Sequence, residues 1–394
     1  MTAAEVVIVG GGVVGSSIGY HLRQDGFTGR IVIIERDPTY ARSSSSLAMG
    51  GIRQQFGSVV NIHLAQYSIA FYKDFDRRMS VGGHTSRAWF RQRGYLFLVD
   101  AASAAAFERR HDILTERGAH VRRLSPGEIR AMLPDLVADD LVFGLMGTDD
   151  GYANPKEVLH GFRAGARAAG VEYVHDEVRE VARTGGRITG VALASGTRIQ
   201  SPVVVNAGGP FTARVAALAG LEQPVKPMRQ HLFRCDLPRP WPYRWPMTVD
   251  PGGIHWRHDD PVEPGQPDRI ILAKTKLDEP YGQNFDCDGS RWLANFYPDL
   301  VRRVPAFRDV RGVEGWAGLY EMTPDHNPMI GEHPALEGFF MANGFSGHGL
   351  MMAPATGKVV SELIRTGRAE TVDVSALSID RFARGELVWD EAMI

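Results

Sequence analysis

Short apolar runs alternate with helix-length segments along most of this chain, the pattern of an α/β protein with added β structure. Val6-Val7-Ile8-Val9 reads as a buried strand, residues 13–24 as a helix, and Ile31-Val32-Ile33-Ile34 as a second strand. Further on, the pattern predicts a strand over 93–99 and a helix over 101–118 that stops at Gly118. Ser125-Pro126-Gly127-Glu128 has capping-box spacing and opens a short helix, and a strand follows over 141–146. The helix over 155–169 has Asn154 as its cap, Pro155 at its first position and Gly170 at its end. Strands over 172–174, 177–183 and 188–193 lead to Val203-Val204-Val205-Asn206-Ala207-Gly208-Gly209, an apolar strand that breaks at small residues, where backbone can approach a ligand. The stretch 224–267, rich in Pro, Trp and Arg, holds strand-length runs, among them 253–258, and no helix. A helix over 290–303, a strand over 339–342, a loop over 343–349 and a helix over 350–365 complete the pattern.

The turn between the first strand and helix is Gly10-Gly11-Gly12-Val13-Val14-Gly15, a G-x-G-x-x-G run, and the second strand ends in Glu35, twenty residues after Gly15. Together these form a βαβ unit for a dinucleotide. Gly10 permits the tight turn, Gly12 lets backbone approach a pyrophosphate, and Gly15 lets helix and strand pack closely. The phosphates would face free N–H groups at a helix N-terminus, and Glu35 would accept from a ribose hydroxyl. Composition narrows the class without changing it. The chain has 394 residues, 44% apolar and 23% charged, with a net charge of −2. That is room for two domains, with no basic surface for nucleic acid. No apolar run is long enough to insert in a membrane, and no secretory signal opens the chain. Cys235 and Cys287 read as free thiols, and the expected location is cytoplasmic. The histidines have no metal-ligand spacing, so no metal is expected.

Four stretches together resemble the D-amino-acid oxidase superfamily of flavoenzymes, in particular its glycine oxidase and sarcosine oxidase branch. They are the run from Ile8 to Gly15; Ser45-Ser46-Leu47-Ala48-Met49-Gly50-Gly51-Ile52-Arg53-Gln54-Gln55-Phe56; Val205-Asn206-Ala207-Gly208-Gly209-Pro210; and Gly344-Phe345-Ser346-Gly347-His348-Gly349. Trp316-Ala317-Gly318-Leu319-Tyr320-Glu321-Met322-Thr323-Pro324-Asp325 is most similar to the β-subunits of heterotetrameric sarcosine oxidases. The resemblance runs from Val6 to about Ile364 and implies FAD as cofactor. It implies a Rossmann-like FAD-binding domain built from discontinuous segments, 1–85, 147–223 and 324–394, with a β-rich substrate domain at 86–146 and 224–323. It also places Gly10, Gly12, Val13, Val14, Gly15, Glu35, Arg36, Ser43, Ser44, Ser45, Ser46, Gly50, Gly51 and Val178 around the cofactor. Asn206, Ala207, Gly208, Gly318, Gly344, Phe345, Ser346, Gly347, His348, Gly349 and Leu350 complete that set. Relatives attach FAD through a cysteine near Gly318 or a histidine near Leu47; neither handle is present, so FAD is expected to bind non-covalently. The lysine that helps oxygen react in sarcosine oxidases would fall near Ile271, and a second near Met351; Lys274 and Lys276 are the available substitutes.

Such enzymes oxidise the C–N bond of an amino acid or N-substituted glycine, and the protein's task is to hold the substrate carboxylate. A planar guanidinium does so through two parallel hydrogen bonds, which makes Arg53, just past Gly50-Gly51, the first candidate. On the strand over 253–258, alternation puts His255 and Arg257 on one face and Trp256 on the other. Tyr320 and His348 complete the candidates for direct contact, with Arg229 and Lys274 as lesser ones, while Glu321 and Asp325 read as turn and strand-end residues. The expected activity is oxidation of glycine, sarcosine or an N-carboxymethyl amino acid with electrons passing to O2. A dehydrogenase with a protein or quinone acceptor, a non-catalytic flavin-binding assembly factor and a flavin enzyme acting on a 2-hydroxy acid or performing a monooxygenation stay open, as does oligomeric state.

Overall fold

The computed structural model describes residues 2–260, 265–275 and 278–388, so Lys276 lies outside the described residues. Val6–Val9 is buried at every position and sits inside a six-stranded sheet. From edge to edge the order is Met329–Glu332, Phe339–Asn343, Val203–Asn206, Val6–Val9, Ile31–Glu35 and Glu172–His175. Only the first pair is antiparallel. The inner strands are covered on both faces, which is why they read as unbroken apolar runs. Val6 and Ile8 pack toward the helices Val13–Gln24, Pro155–Ala168 and Gly349–Thr366, while Val7 and Val9 pack under the small sheet that contains Val178–Thr184 and Arg187–Leu193.

The other large sheet has eight strands, in the order Arg311–Met322, Lys226–Asp236, Arg269–Lys274, Ile254–Asp259, Met247–Val249, Tyr95–Asp100, Leu141–Gly147 and Val121–Leu124. Its period of two separates two environments. Tyr95, Phe97 and Val99 join the core shared with the helices, whereas Leu96 and Leu98 join a second core with Phe233, Cys235, Trp245 and Trp256. Both cysteines are free.

The sequence expectation of one helix over 290–303 is corrected to a wide π turn, Trp292–Phe296, followed by an α-helix, Tyr297–Arg303. Pro298 is the reason: it has no N–H for the Ala294 carbonyl, and it sits naturally at the start of a new helix. The helix Val59–Tyr72 has no amphipathic signature because most of it is buried and its narrow exposed stripe, Val59, His63 and Ala70, is itself largely apolar. It packs against Gly349–Thr366, which contains Pro354. This proline leaves the Leu350 carbonyl without its helical donor, and the buried Tyr72 hydroxyl donates to it instead at 2.6 Å. Tyr72→Phe keeps the ring and deletes the donor. It is expected to cost about 1–3 kcal/mol of stability, read as a lower urea midpoint by circular dichroism; an unchanged midpoint would contradict this role.

Candidate active site

A cleft of ≈ 2220 Å³, measured to its open mouth, runs past the carboxyl ends of Val6–Val9, Ile31–Glu35 and Val203–Asn206 and under the inner face of the eight-stranded sheet. Its lining runs from Glu35 and Arg36 at one end to Arg53 and His255 at the other, so it suits an extended ligand. At one end, Gly10 turns at φ 103° and its α-carbon packs against the Ala207 carbonyl. A Cβ there would lie 2.3 Å from that oxygen. The helix Val13–Gln24 begins with no side-chain cap, its first residues Val13 and Val14 facing the cleft. The Val13 N–H reaches the Ser45 hydroxyl at 3.1 Å. The Glu35 carboxylate accepts from the Gly11 and Asp37 N–H groups, both at 2.8 Å, and its remaining lone pairs stay available. Arg36 lies over the Phe211 ring, 3.7 Å from its centre.

Ser43 caps the short helix Ser44–Leu47. This helix is tied to the strand Arg311–Met322 by the Ser44 hydroxyl, donating to the Leu319 carbonyl at 2.6 Å, and by the Trp316 indole, donating to the Leu47 carbonyl at 3.0 Å. The tie sets Leu47 against Gly318, where an added Cβ would be 3.1 Å from that of Leu47. A second uncapped helix N-terminus, Gly349–Thr366 after His348, also meets the cleft. Two such termini in one cavity present N–H groups and partial positive charge to an anionic ligand.

The inner end holds Arg53, 1% exposed. Its Nη1 donates to the Gln55 carbonyl, and Nη2 lies 3.3 Å from His348 Nε2, which must therefore accept. The guanidinium sits 4.2 Å from the Phe56 ring centre, and its Nε has no partner. Among the described residues no carboxylate pairs with it. Asp150, whose charge it favours, accepts instead from the Gln54 N–H and Gln55 Nε2, and burial raises that carboxyl to about 7. Tyr95, Tyr320 and His255 line the cleft with it. His255 Nδ1 donates to the Gly253 carbonyl at 3.1 Å, leaving Nε2 as an acceptor, and burial lowers the ring to about 4, so it is neutral at physiological pH. Burial raises the Tyr320 phenol to about 12.

The family model described as FAD dependent oxidoreductase (DAO) matches residues 5–363. The chain belongs to this family. A FAD-dependent oxidoreductase domain-containing protein 1 of Xenopus laevis is 32% identical, over 96% of this chain and 82% of that protein. Glycine oxidase of Geobacillus kaustophilus is 25% identical, over 96% of this chain and 97% of its own length. The solved L-proline dehydrogenase from P. horikoshii superposes with a TM-score of 0.87 at 28% identity, covering 98% of this chain and 100% of that one. FAD fits the residues present: Gly12, Val13 and Val14 suit its pyrophosphate, Glu35 its adenosine ribose, and Gly50, Gly51, Gly318 and the 345–350 segment its ring system. Neither Leu47 nor Gly318 offers a nucleophile, and no cysteine is among the described lining residues.

Most of the cofactor residues expected from the sequence line the cleft, Val178 and Gly208 included. Five of the expected site residues do not. Gly15 packs against the Gly10 carbonyl, 2.0 Å from where its Cβ would be. Ser46 is turned to Ser43, whose hydroxyl donates to it at 2.9 Å. Asn206 braces its own turn, donating to the Thr212 carbonyl and accepting from the Gly208 N–H. Gly344 bends the chain at φ 77° against Thr323. Arg257 shares a face with His255 but donates from Nε to the Met49 carbonyl at 2.7 Å, so it holds the 48–51 segment rather than a ligand. The lesser candidates are engaged elsewhere: Lys274 binds Asp299 at 2.7 Å, and Arg229 binds Glu279 at 2.9 Å.

Sequence reasoning missed Tyr95, Gln230, Leu232, Met247 and Glu321 in the wall. Tyr95 stands on the strand expected over 93–99, but alternation alone does not say which of its faces meets the cleft. Gly10→Ala is expected to leave a folded protein by circular dichroism with much of its FAD lost, read as visible absorbance per chain. Full FAD content would contradict the close approach at Ala207.

Proposed function

We propose that this protein oxidises the C–N bond of a small amino acid or N-substituted glycine bearing one carboxylate. The observation that carries the reading is Arg53, a buried guanidinium in the cleft wall without a carboxylate partner among the described residues. A buried charge of this kind is costly unless a ligand neutralises it. The other arginines of the lining, Arg36, Arg42, Arg179 and Arg214, accompany the nucleotide-end residues Glu35, Val178 and Phe211, which leaves Arg53 as the lining guanidinium of the inner end among the described residues. Around it Met49, Leu232, Met247 and Ala273 offer apolar wall to the substrate's side chain or N-substituent.

When bound, FAD supplies the acceptor for the substrate's hydride. The protein's residues orient the substrate. Arg53 binds the carboxylate through parallel hydrogen bonds. Neutral His255 Nε2 can accept from the amine N–H, which keeps the nitrogen lone pair free of a neighbouring positive charge. As that lone pair closes a C=N bond, the C–H hydrogen leaves with its electron pair, and water hydrolyses the imine to an amine and an oxo acid. Tyr95 and Tyr320 help exclude bulk water from the amine, and the raised Tyr320 phenol stays a donor.

One observation favours a dehydrogenase over an oxidase. No lysine is among the described lining residues, and Lys274 is held by Asp299 and the Asn295 carbonyl. The cation that could stabilise charge developing on oxygen is therefore not supplied by that side chain.

Arg53→Ala removes two charge-assisted bonds worth about 1.5–3 kcal/mol each. It is expected to lower kcat/KM for the amino acid by on the order of 100-fold or more, with FAD content retained; an unchanged kcat/KM would overturn the reading. Bleaching of the bound flavin by an amino acid without oxygen separates turnover from mere cofactor binding. Slow return of the colour in air, made fast by an added artificial electron acceptor, is the expected mark of the dehydrogenase; prompt return in air with peroxide release would favour the oxidase.

A further inference from the structure

Glu321 is a wall residue that the proposed reaction leaves without a task. It lies on Arg311–Met322, opposite Pro227 on the neighbouring strand, and faces the cleft beside the 344–348 loop. Its backbone carbonyl accepts from the Ser346 N–H at 3.2 Å. Its carboxyl is favoured as an anion by the Gly344 and Phe345 N–H groups, yet burial outweighs them and raises it to about 7. Oε2 is fully buried and has no hydrogen-bond partner.

The charged and titratable groups on the surrounding elements are Tyr320 on its own strand, Asp325 beyond the strand's end, His348 on the loop, and Lys226 and Arg229 on the neighbouring strand. Asp325 is paired with Arg381, Lys226 lies over the Tyr281 ring, and Arg229 is paired with Glu279. None of the five contributes to the shift. FAD laid against this wall displaces the water that still reaches the half-buried Glu321 side chain, which costs its anion more than its acid. As an acid, it has one proton to donate.

We propose that Glu321 holds FAD as a carboxylic acid and that ionisation of this group weakens FAD binding. FAD then binds the protonated form better and raises the Glu321 pKa further. Affinity is full below the ligand-free pKa. Above it, affinity falls by up to about tenfold per pH unit until the FAD-bound pKa is reached. The inference rests on the FAD site and is independent of the role proposed for Arg53.

The test uses the FAD-loaded wild type and Glu321→Gln, which keeps a donor but cannot ionise. Each is diluted at a series of pH values from about 6 to about 9, and released FAD is read by its fluorescence. The wild-type Kd is expected to rise by on the order of tenfold or more across the series, while that of the glutamine variant stays low and nearly flat. A flat wild type, or the same rise in both proteins, would overturn the proposal. Should the variant not fold, proton uptake by the wild type decides. Calorimetry of FAD binding to deflavinated protein near pH 8, in buffers of different ionisation enthalpy, is expected to show uptake of close to one proton; zero uptake would overturn it.

Discussion

A guanidinium buried to 1% exposure, with no carboxylate partner among the described residues, is the constraint around which the inner half of this cleft is organised. Aromatic faces and the acceptors on Gln55 and His348 hold Arg53 in place without cancelling its charge. Asp150 could have paired with it, but the Gln54 N–H and Gln55 amide take both its oxygens. The fold thus keeps a positive charge in reserve for a ligand, at a cost that hydrogen bonds to neutral partners only partly offset. The turn that delivers Arg53 is equally constrained: Gly50 sits at φ 88°, and a Cβ there would be 2.1 Å from the Ala153 carbonyl.

The cofactor end depends on backbone brought against backbone. Gly10 meets Ala207, Gly15 meets Gly10, and both contacts put a helix N-terminus where its N–H groups face the cavity. The opposite wall comes from a separate sheet, so the two must be kept in register. Arg257 performs part of that task by gripping the Met49 carbonyl from its strand, and Ser44 and Trp316 fasten the 44–47 helix to another strand of the same sheet. The two ends of the cleft are therefore mechanically linked through the 43–53 segment, which lines it over much of its length.

Much of this was legible in the chain. The βαβ unit announced itself because turn, helix and acid stand at fixed offsets, and the apolar runs of the parallel sheet are those of strands buried on both faces. Other features had no local signal. Arg257 and His255 look equivalent by alternation, yet Arg257 reaches across to the Met49 carbonyl while His255 bonds only the nearby Gly253 carbonyl and lines the cavity; side-chain length and the position of Met49 decide it. Glu321 read as a strand-end residue because its burial is imposed by a loop more than twenty positions later in the chain. The helix Val59–Tyr72 escaped notice for lack of a polar face, and the Tyr72 hydroxyl answers a proline far away in sequence.

The reserve of positive charge at Arg53 can be measured without turnover. FAD-loaded protein is titrated with acetate, a carboxylate with no amine to oxidise, while the visible bands of the flavin are followed. A saturable spectral change, competitive with the amino acid and abolished in Arg53→Ala at equal FAD content, is the result this account predicts. A wild-type spectrum indifferent to acetate, or an affinity unchanged by the substitution, would contradict it.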